Sequence, residues 1–457
     1  KRPREPARES ETVRSMPMKV EGLGDLSIHM ILSKLSPKDV ALVGCVSPRL
    51  KIWASDDPLW SKFCSDDLNL SSPVDPFGNL KPSFKEAYET WRKAFGSYPW
   101  HLVKRVKRCW DTLRGWLDKN FPEVAATLQG GATEAEIAEL ESSLEVKLPL
   151  PTKLLYRFCN GQAITSRGTT CDSPLGLIGG YSFYDHVVNV YLLPLSEIML
   201  ETKRFMLHMG FPSGSEFIIV AASSTHMKKV FFLNCTDGQL YVSTRYLAVD
   251  EEMLPCVPTA SISLAPDSKG DTQQDAMLLW LEEHGRRLQN GIIKAREENN
   301  VKSIDLFPEV PPLCPLAVTH GVQVRASAVL VPELSDLQAD SKKYIFAYSV
   351  RMCLLPGGCD INGLKFNSCQ LYSRHWIIRA NDTVVSNVNA EAVIGKFPLL
   401  LPGEGEFVYQ SCTPLQSSQG SVEGCFTFVP GSLYDQKGGP FEAIVAKFPL
   451  QVPQYIF

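Results

Sequence analysis

Arg374, His375 and Trp376 set a guanidinium, an imidazole and an indole side by side, and a later segment offers the Ser411 hydroxyl. A guanidinium presents a fork of donors to an anion and an imidazole titrates near neutral pH, so the set fits a small-anion or metal site. A conformational anchor at a strand edge explains the same residues and is the plainer reading. No catalytic constellation accompanies them. Gly395-Lys396 is followed by Phe397 and lacks the upstream glycine of a phosphate-binding loop, and neither G-x-S-x-G nor H-E-x-x-H occurs. Cys353, Cys359 and Cys369 have neither paired C-x-x-C spacing nor matching histidines, so zinc is not expected. Glu282 and Glu283 read as solvated helix charges, His284 as a face residue of the same helix, and Lys104, Arg105, Lys107 and Arg108 as a solvated outer face. The residues therefore predict binding, with no catalytic residue, metal ligand or cofactor assigned.

The elements that position such residues must fill 457 residues, about three domains at roughly 150 residues each. Hydrophobic residues at 44 % exclude a mostly disordered chain, and a formal charge of -4 leaves no excess of cations for a nucleic-acid backbone. No run approaches the roughly 18 apolar residues that span a bilayer, and residues 1–19 mix charge and proline without an apolar signal core. A disordered arm is expected there, on a protein of the cytoplasm or nucleus with no membrane partner. Thirteen cysteines spread over the chain read as reduced, mostly buried thiols.

From Gly22 to Cys64 the punctuation predicts four short helices. Asp25, Ser36-Pro37, Ser47-Pro48 and Asp57-Pro58 each place a capping oxygen beside a good first helical residue. A unit this small buries only part of its apolar surface on itself. The order Leu23-x-Asp25, Ile31-Leu32-Ser33-x-Leu35, Asp39-Val40, Cys45-Val46-Ser47-x-Arg49-Leu50 and Asp57-Pro58-Leu59-Trp60 resembles the F-box, with Gly24 where that family usually has proline. The resemblance implies docking on the Skp adaptor of cullin-based ubiquitin ligases. In it Leu23, Ile31, Leu32, Leu35, Val40, Val46, Leu50 and Trp60 touch or support the adaptor, and the apolar side that includes Leu32 and Leu35 is expected to be uncovered.

After a loop with Pro73, Pro76 and Pro82, Ser83 caps a helix, and a longer one runs from about Trp100 until Pro122 stops it. Thr133 and Glu136 form a capping box, and Asn160-Gly161 reads as a left-handed helix cap. Residues 216–221, 229–234 and 239–243 read as strands around a Thr236-Asp237-Gly238 turn, and Asp271 as the cap of a closing helix. Leu144-Glu-Val-Lys-Leu-Pro149 with Tyr156-Arg157-Phe158-Cys159-Asn160-Gly161-Gln162 resembles the Smi/Knr module, also called SUKH, a mixed α/β binding domain.

Pro308, Pro311, Pro312 and Pro315 make a stiff connector, after which the apolar period switches to two. Short strands between Asn381-Asp382, Pro402-Gly403 and Pro430-Gly431 turns predict an antiparallel β-sandwich of immunoglobulin or fibronectin kind. Tyr344-Ile-Phe-Ala-Tyr348, Leu371-Tyr-Ser-Arg374-His375-Trp376, Val393-Ile-Gly395-Lys-Phe397-Pro398 and Gly420-x-x-x-Gly424 closely resemble the ApaG domain. Bacterial ApaG carries glycines where Ala390 and Ala392 stand here, and side-chain carbons there are expected to restrict positive dihedrals and disfavour phosphate binding. The whole chain thus resembles plant ApaG-domain F-box proteins of the Skp-interacting partner type, a multidomain α+β chain. The expected order is a disordered arm over 1–19, an F-box over 20–66, a helical linker over 67–125, a SUKH-like domain over 126–300, a connector over 301–316 and an ApaG domain over 317–457. The resemblance implies a non-catalytic receptor that binds a Skp adaptor, cullin and RING subunits through it, and an unidentified target protein. The alternative is a small-anion or metal sensor or enzyme centred on the ApaG domain.

Overall fold

The computed structural model describes residues 24–164, 175–209, 216–223, 228–245, 253–264, 273–298, 301–340 and 343–457, so the arm over 1–19, Leu23 and Asp271 lie outside the described residues. The chain divides into two compact units, 1–104 and 105–457. In the first, α1 (Asp25–Leu32), α2 (Pro37–Val43), α3 (Pro48–Trp53), α4 (Asp57–Leu68) and α5 (Phe84–Ala94) follow one another closely. The Ser36 and Ser47 hydroxyls cap α2 and α3 by accepting the Asp39 and Leu50 amides. Asp25 and Asp57 are instead already helical. Freed from its own helix, the Asp57 carboxylate accepts the Phe84 amide at 2.9 Å and ties α4 to the start of α5. Asp67 gathers the Tyr88 hydroxyl at 2.7 Å, the Trp100 indole at 3.1 Å and the Lys104 ammonium at 2.9 Å. Burial alone would raise its pKa, but these three donors hold it below the ordinary range.

Helix α6 (Trp100–Asn120) buries Leu102, Val106, Cys109, Leu113 and Leu117 at helical spacing. Its basic stripe is not the solvated face expected from the sequence. Lys104 is engaged by Asp67, Arg105 grips Glu282 with two bonds of 2.7 and 2.6 Å, and buried Lys107 pairs with Asp111 at 2.7 Å. Arg108 alone of the four is exposed. The stripe reads as solvated because the partners of Lys104 and Arg105 lie far away in sequence.

Beyond α7 (Pro122–Ala125), the second unit continues with α8 (Glu134–Leu144), opened by the Thr133–Glu136 capping box, and α9 (Leu150–Phe158). A large sheet follows, built from β1 (Gly179–Phe183), β2 (His186–Leu192), β3 (Phe217–Ser223), β4 (Val230–Asn234), β5 (Leu240–Val242), β6 (Leu254–Pro255), β7 (Lys294–Glu298) and β8 (Val301–Asp305), with α10 (Leu195–Met209) and α11 (Ala276–Gln289). Its order is β6-β5-β4-β3-β2-β1-β8-β7, antiparallel except where β8 runs beside β1. The cap of α11 is Asp275, whose other oxygen accepts the Thr152 amide and hydroxyl, so one fully buried carboxylate joins α9 to α11. Gly161 does hold a positive φ of 64°, but Cys159 before it is extended, so it does not cap the helix. It is needed because a Cβ would sit 2.6 Å from the Leu193 carbonyl. Residues 301–305, in the stretch read as connector, form β8, and the chain stays buried through Glu309.

The C-terminal part is a two-sheet sandwich. One sheet has the order β17-β11-β10-β9, from β9 (Leu316–Thr319), β10 (Val322–Leu330), β11 (Tyr344–Leu354) and β17 (Phe407–Leu415). A small hairpin, β12 (Cys359–Ile361) and β13 (Leu364–Phe366), precedes the other sheet, β15-β14-β18-β19. That sheet comprises β14 (Cys369–Ala380), β15 (Thr383–Glu391), β18 (Gln419–Pro430) and β19 (Phe441–Gln451), with β16 (Leu399–Leu400) beside the start of β14. Phe346, Val350, Trp376, Phe426, Phe428 and Phe448 fill the space between the sheets.

A charged and aromatic seam joins the sandwich to the mixed module. Fully buried Arg351 bridges Asp305 at 2.9 Å and Glu309 at 2.8 Å, and Glu309 also receives Arg296 and Arg325. Buried Glu333 accepts the Tyr181 hydroxyl and faces the His186 imidazole, each at 2.8 Å. Lys229, entirely buried, reaches the Tyr181 hydroxyl and the Phe457 main-chain oxygen. Trp280 stacks on Phe457 and donates to the Ile456 carbonyl at 2.7 Å. His284, expected as a face residue of its helix, is fully buried with Nε2 on the Leu177 carbonyl, and burial pushes its pKa down to about 4. Among the described residues no helix is long and apolar enough to cross a membrane.

Candidate docking and binding sites

Helix α1 turns Ile28 and Leu32, four residues apart, into the first unit's core and Leu26 and Met30 outward. Leu32 is 2 % exposed against 76 % for Leu26. Leu42 on α2, Val46 in the turn that follows and Ile52 on α3 add exposed apolar groups, the last two at 73 %. Together with Ile31 they place six large exposed hydrophobic side chains between residues 26 and 52, a concentration that marks an interaction surface.

This distribution corrects the expectation that the side including Leu32 is uncovered. Of the expected adaptor residues, Ile31 and Val46 are exposed and Leu35 is half-buried. Leu32, Val40, Leu50 and Trp60 are sealed inside, where Trp60 donates to the Ala54 carbonyl at 2.7 Å and packs on Phe63 and Tyr88. They support the face from behind. The helical period of α1 held the signal, since residues 26 and 30 are offset from 28 and 32 by half a turn.

Three of the four candidate ligand residues, Arg374, Trp376 and Ser411, lie around Tyr348, and His375 does not join them. Alternation along β14 puts Arg374 and Trp376 on one face and His375 on the other. Arg374 donates to the Ala392 carbonyl at 2.6 Å, His375 bonds Asn387 at 2.7 Å, and the Ser411 hydroxyl bonds Tyr184 at 2.8 Å. Trp376 is buried edge-on against Tyr348 and Phe426, and its indole nitrogen has no hydrogen-bond partner among the described residues. Burial pushes the Tyr348 and Tyr409 hydroxyls up in pKa, and nearby Arg374 opposes this only in part. Cys359 and Cys369 share a hydrogen bond that draws the Cys359 thiol down in pKa, while the same bond pushes the Cys369 thiol up. Among the described residues no group of three or more metal-ligating side chains comes together.

The turn after β15 departs from expectation. Ala392 adopts a φ of 59° despite its Cβ, and Ile394 adopts 46°. A β-branched residue there is strained by roughly 1–2 kcal/mol, and Ile394 is exposed, so it recovers little by burial. Ile394→Gly is expected to hold stability level or raise it by up to about 1 kcal/mol, where an average substitution loses about that much. A urea midpoint checks it, and a clear loss contradicts the strain.

Set beside known proteins, residues 21–62 match the F-box domain family and residues 335–430 the ApaG domain family. F-box protein SKIP16 of Arabidopsis thaliana is 57 % identical over 441 residues, covering 96 % of this chain and 100 % of that one. F-box only protein 3 of Homo sapiens is 26 % identical over 92 % of this chain and 81 % of its own. Protein ApaG of Bordetella pertussis is 35 % identical over 143 residues, 31 % of this chain and 93 % of that one. With helices whose apolar face is open at one end and an ApaG domain at the other, the chain belongs to the F-box proteins that carry an ApaG domain.

Proposed function

We propose that this protein is a substrate-recognition subunit of a Skp-cullin-F-box ubiquitin ligase, working in the cytoplasm or nucleus. The first four helices dock on a Skp-family adaptor through Leu26, Met30, Ile31, Leu42, Val46 and Ile52. Leu32, Leu35, Val40, Leu50 and Trp60 then shape and stiffen that surface. The mixed module over 126–300, read as SUKH-like, and the ApaG domain over 317–457 hold a target protein. The single observation that supports this most is the exposed apolar set on helices whose inner faces are fully packed.

The contribution to rate is positional. A receptor that holds a target beside a loaded conjugating enzyme turns an encounter between two molecules into one within a complex, and needs no catalytic side chain of its own. The triple variant Leu26→Ser, Met30→Ser, Ile52→Ser is expected to weaken adaptor binding at least about a hundredfold, since central apolar anchors dominate such interfaces. Its melting temperature should stay close to that of the unaltered chain, because all three side chains are already in water. Unchanged affinity for a Skp adaptor in titration calorimetry would defeat the docking claim. Purification from proteasome-inhibited cells should recover adaptor, cullin and target together.

A further inference from the structure

A sheet edge offers a row of unpaired backbone donors and acceptors, and proteins guard such edges with charge, shortness or cover. Those guards are present almost everywhere here. β6 is two residues long, and β7 carries Lys294, Arg296, Glu297 and Glu298. β19 packs on β9 and β10, and β17 is met by the mixed module through Tyr184 to Ser411 and Glu298 to Gln410. Among the described residues β15 is the exception: it spans nine residues, pairs with β14 on one side and has no strand on the other. From Thr383 to Ala390 it contains neither charge nor proline. Val384, Val385 and Val388 are 41–52 % exposed, and both faces of the strand are largely open.

An extended chain satisfies that backbone row and covers the valines at once. We propose that β15 receives an extended segment of the target protein as an added antiparallel strand, an inference that rests on the target-presenting role above. A second copy of this chain fits less well, because edge pairing engages about nine residues a side against roughly 20–30 in a stable interface. Asp382 precedes the strand and Glu391 ends it, both exposed, with Glu391 accepting the Tyr372 hydroxyl at 3.3 Å. The complementary segment is therefore β-branched and uncharged in the middle, with a basic residue towards each end.

The test uses the full chain and the capped peptide Lys-Thr-Val-Thr-Val-Thr-Val-Lys, with a control in which alternate residues are proline and cannot pair. The peptide should slow hydrogen exchange across residues 383–391 at least about tenfold. The variant Val384→Lys, Val388→Lys should lose this protection while its adaptor binding and exchange elsewhere stay unchanged. No slowing at millimolar peptide, or equal slowing by the proline control, overturns strand addition. Protection that grows with protein concentration in the absence of peptide, together with a dimer in sedimentation, makes a second copy the occupant and overturns the target segment. Peptide protection in a chain that binds no Skp adaptor removes the ligase reading and leaves the strand-accepting edge standing.

Discussion

Arg351→Met should destabilise the second unit by about 3–5 kcal/mol, because removing one partner of a buried ion pair leaves the others buried and uncompensated. Methionine keeps most of the volume and removes the charge. Arg351 is completely buried, and Asp305 and Glu309 both depend on it. Burial pushes the Asp305 carboxyl up to about 6 even though Arg351 opposes it. Burial would also raise Glu309, but Arg296, Arg351 and Arg325 together hold it at about 2. The two therefore work in opposite senses with pH. Stability from the raised Asp305 is complete below the ordinary aspartate range and is lost as pH rises through about 6. Stability from the lowered Glu309 is complete above the ordinary glutamate range and is lost as pH falls towards 2. Without Arg351 the Asp305 carboxyl rises further, so the variant should regain more stability than the unaltered chain between pH 7 and pH 5. Urea midpoints at the two pH values check both size and sign, and a variant equally deficient at each would contradict the assignment.

Trp60→Ala should destabilise the first unit by about 3–5 kcal/mol. The indole is 2 % exposed, and its loss removes the contacts to Phe63 and Tyr88 together with the bond to the Ala54 carbonyl. Adaptor binding should fall with it, through loss of the folded helices. The Leu26, Met30 and Ile52 variant differs in kind, since its helices stay folded and only the contact is lost. Circular dichroism melts read beside adaptor titration separate the two. A Trp60→Ala protein that melts normally and still fails to bind would return Trp60 to the contact surface.

Local chemistry made much of this fold readable. Ser36, Ser47, Ser83 and the Thr133–Glu136 box cap the helices expected of them, and the period-two pattern after Pro315 lies in strands. The failures share a cause, which is dependence on distant partners. Residues 301–305 read as connector, yet they form β8 beside β7, whose Arg296 is neutralised by Glu309. β15 escapes a search for alternating polarity because both of its faces meet solvent. Arg374, His375 and Trp376 look like a site in one dimension because sequence adjacency hides the alternation of a strand. The exposed apolar face was legible as a segment, and its individual residues became legible only with the phase of α1.

The seam of Arg296, Arg325, Arg351, Asp305 and Glu309 bears on how such a protein can arise and be rebuilt. A sandwich cut free at residue 316 would leave Arg351 without either of its carboxylates and Arg325 with Glu406 alone, and a bacterial homologue grafted in its place would have to bring matching charges. Exchanging one module alone by recombination therefore demands compensating change in the other.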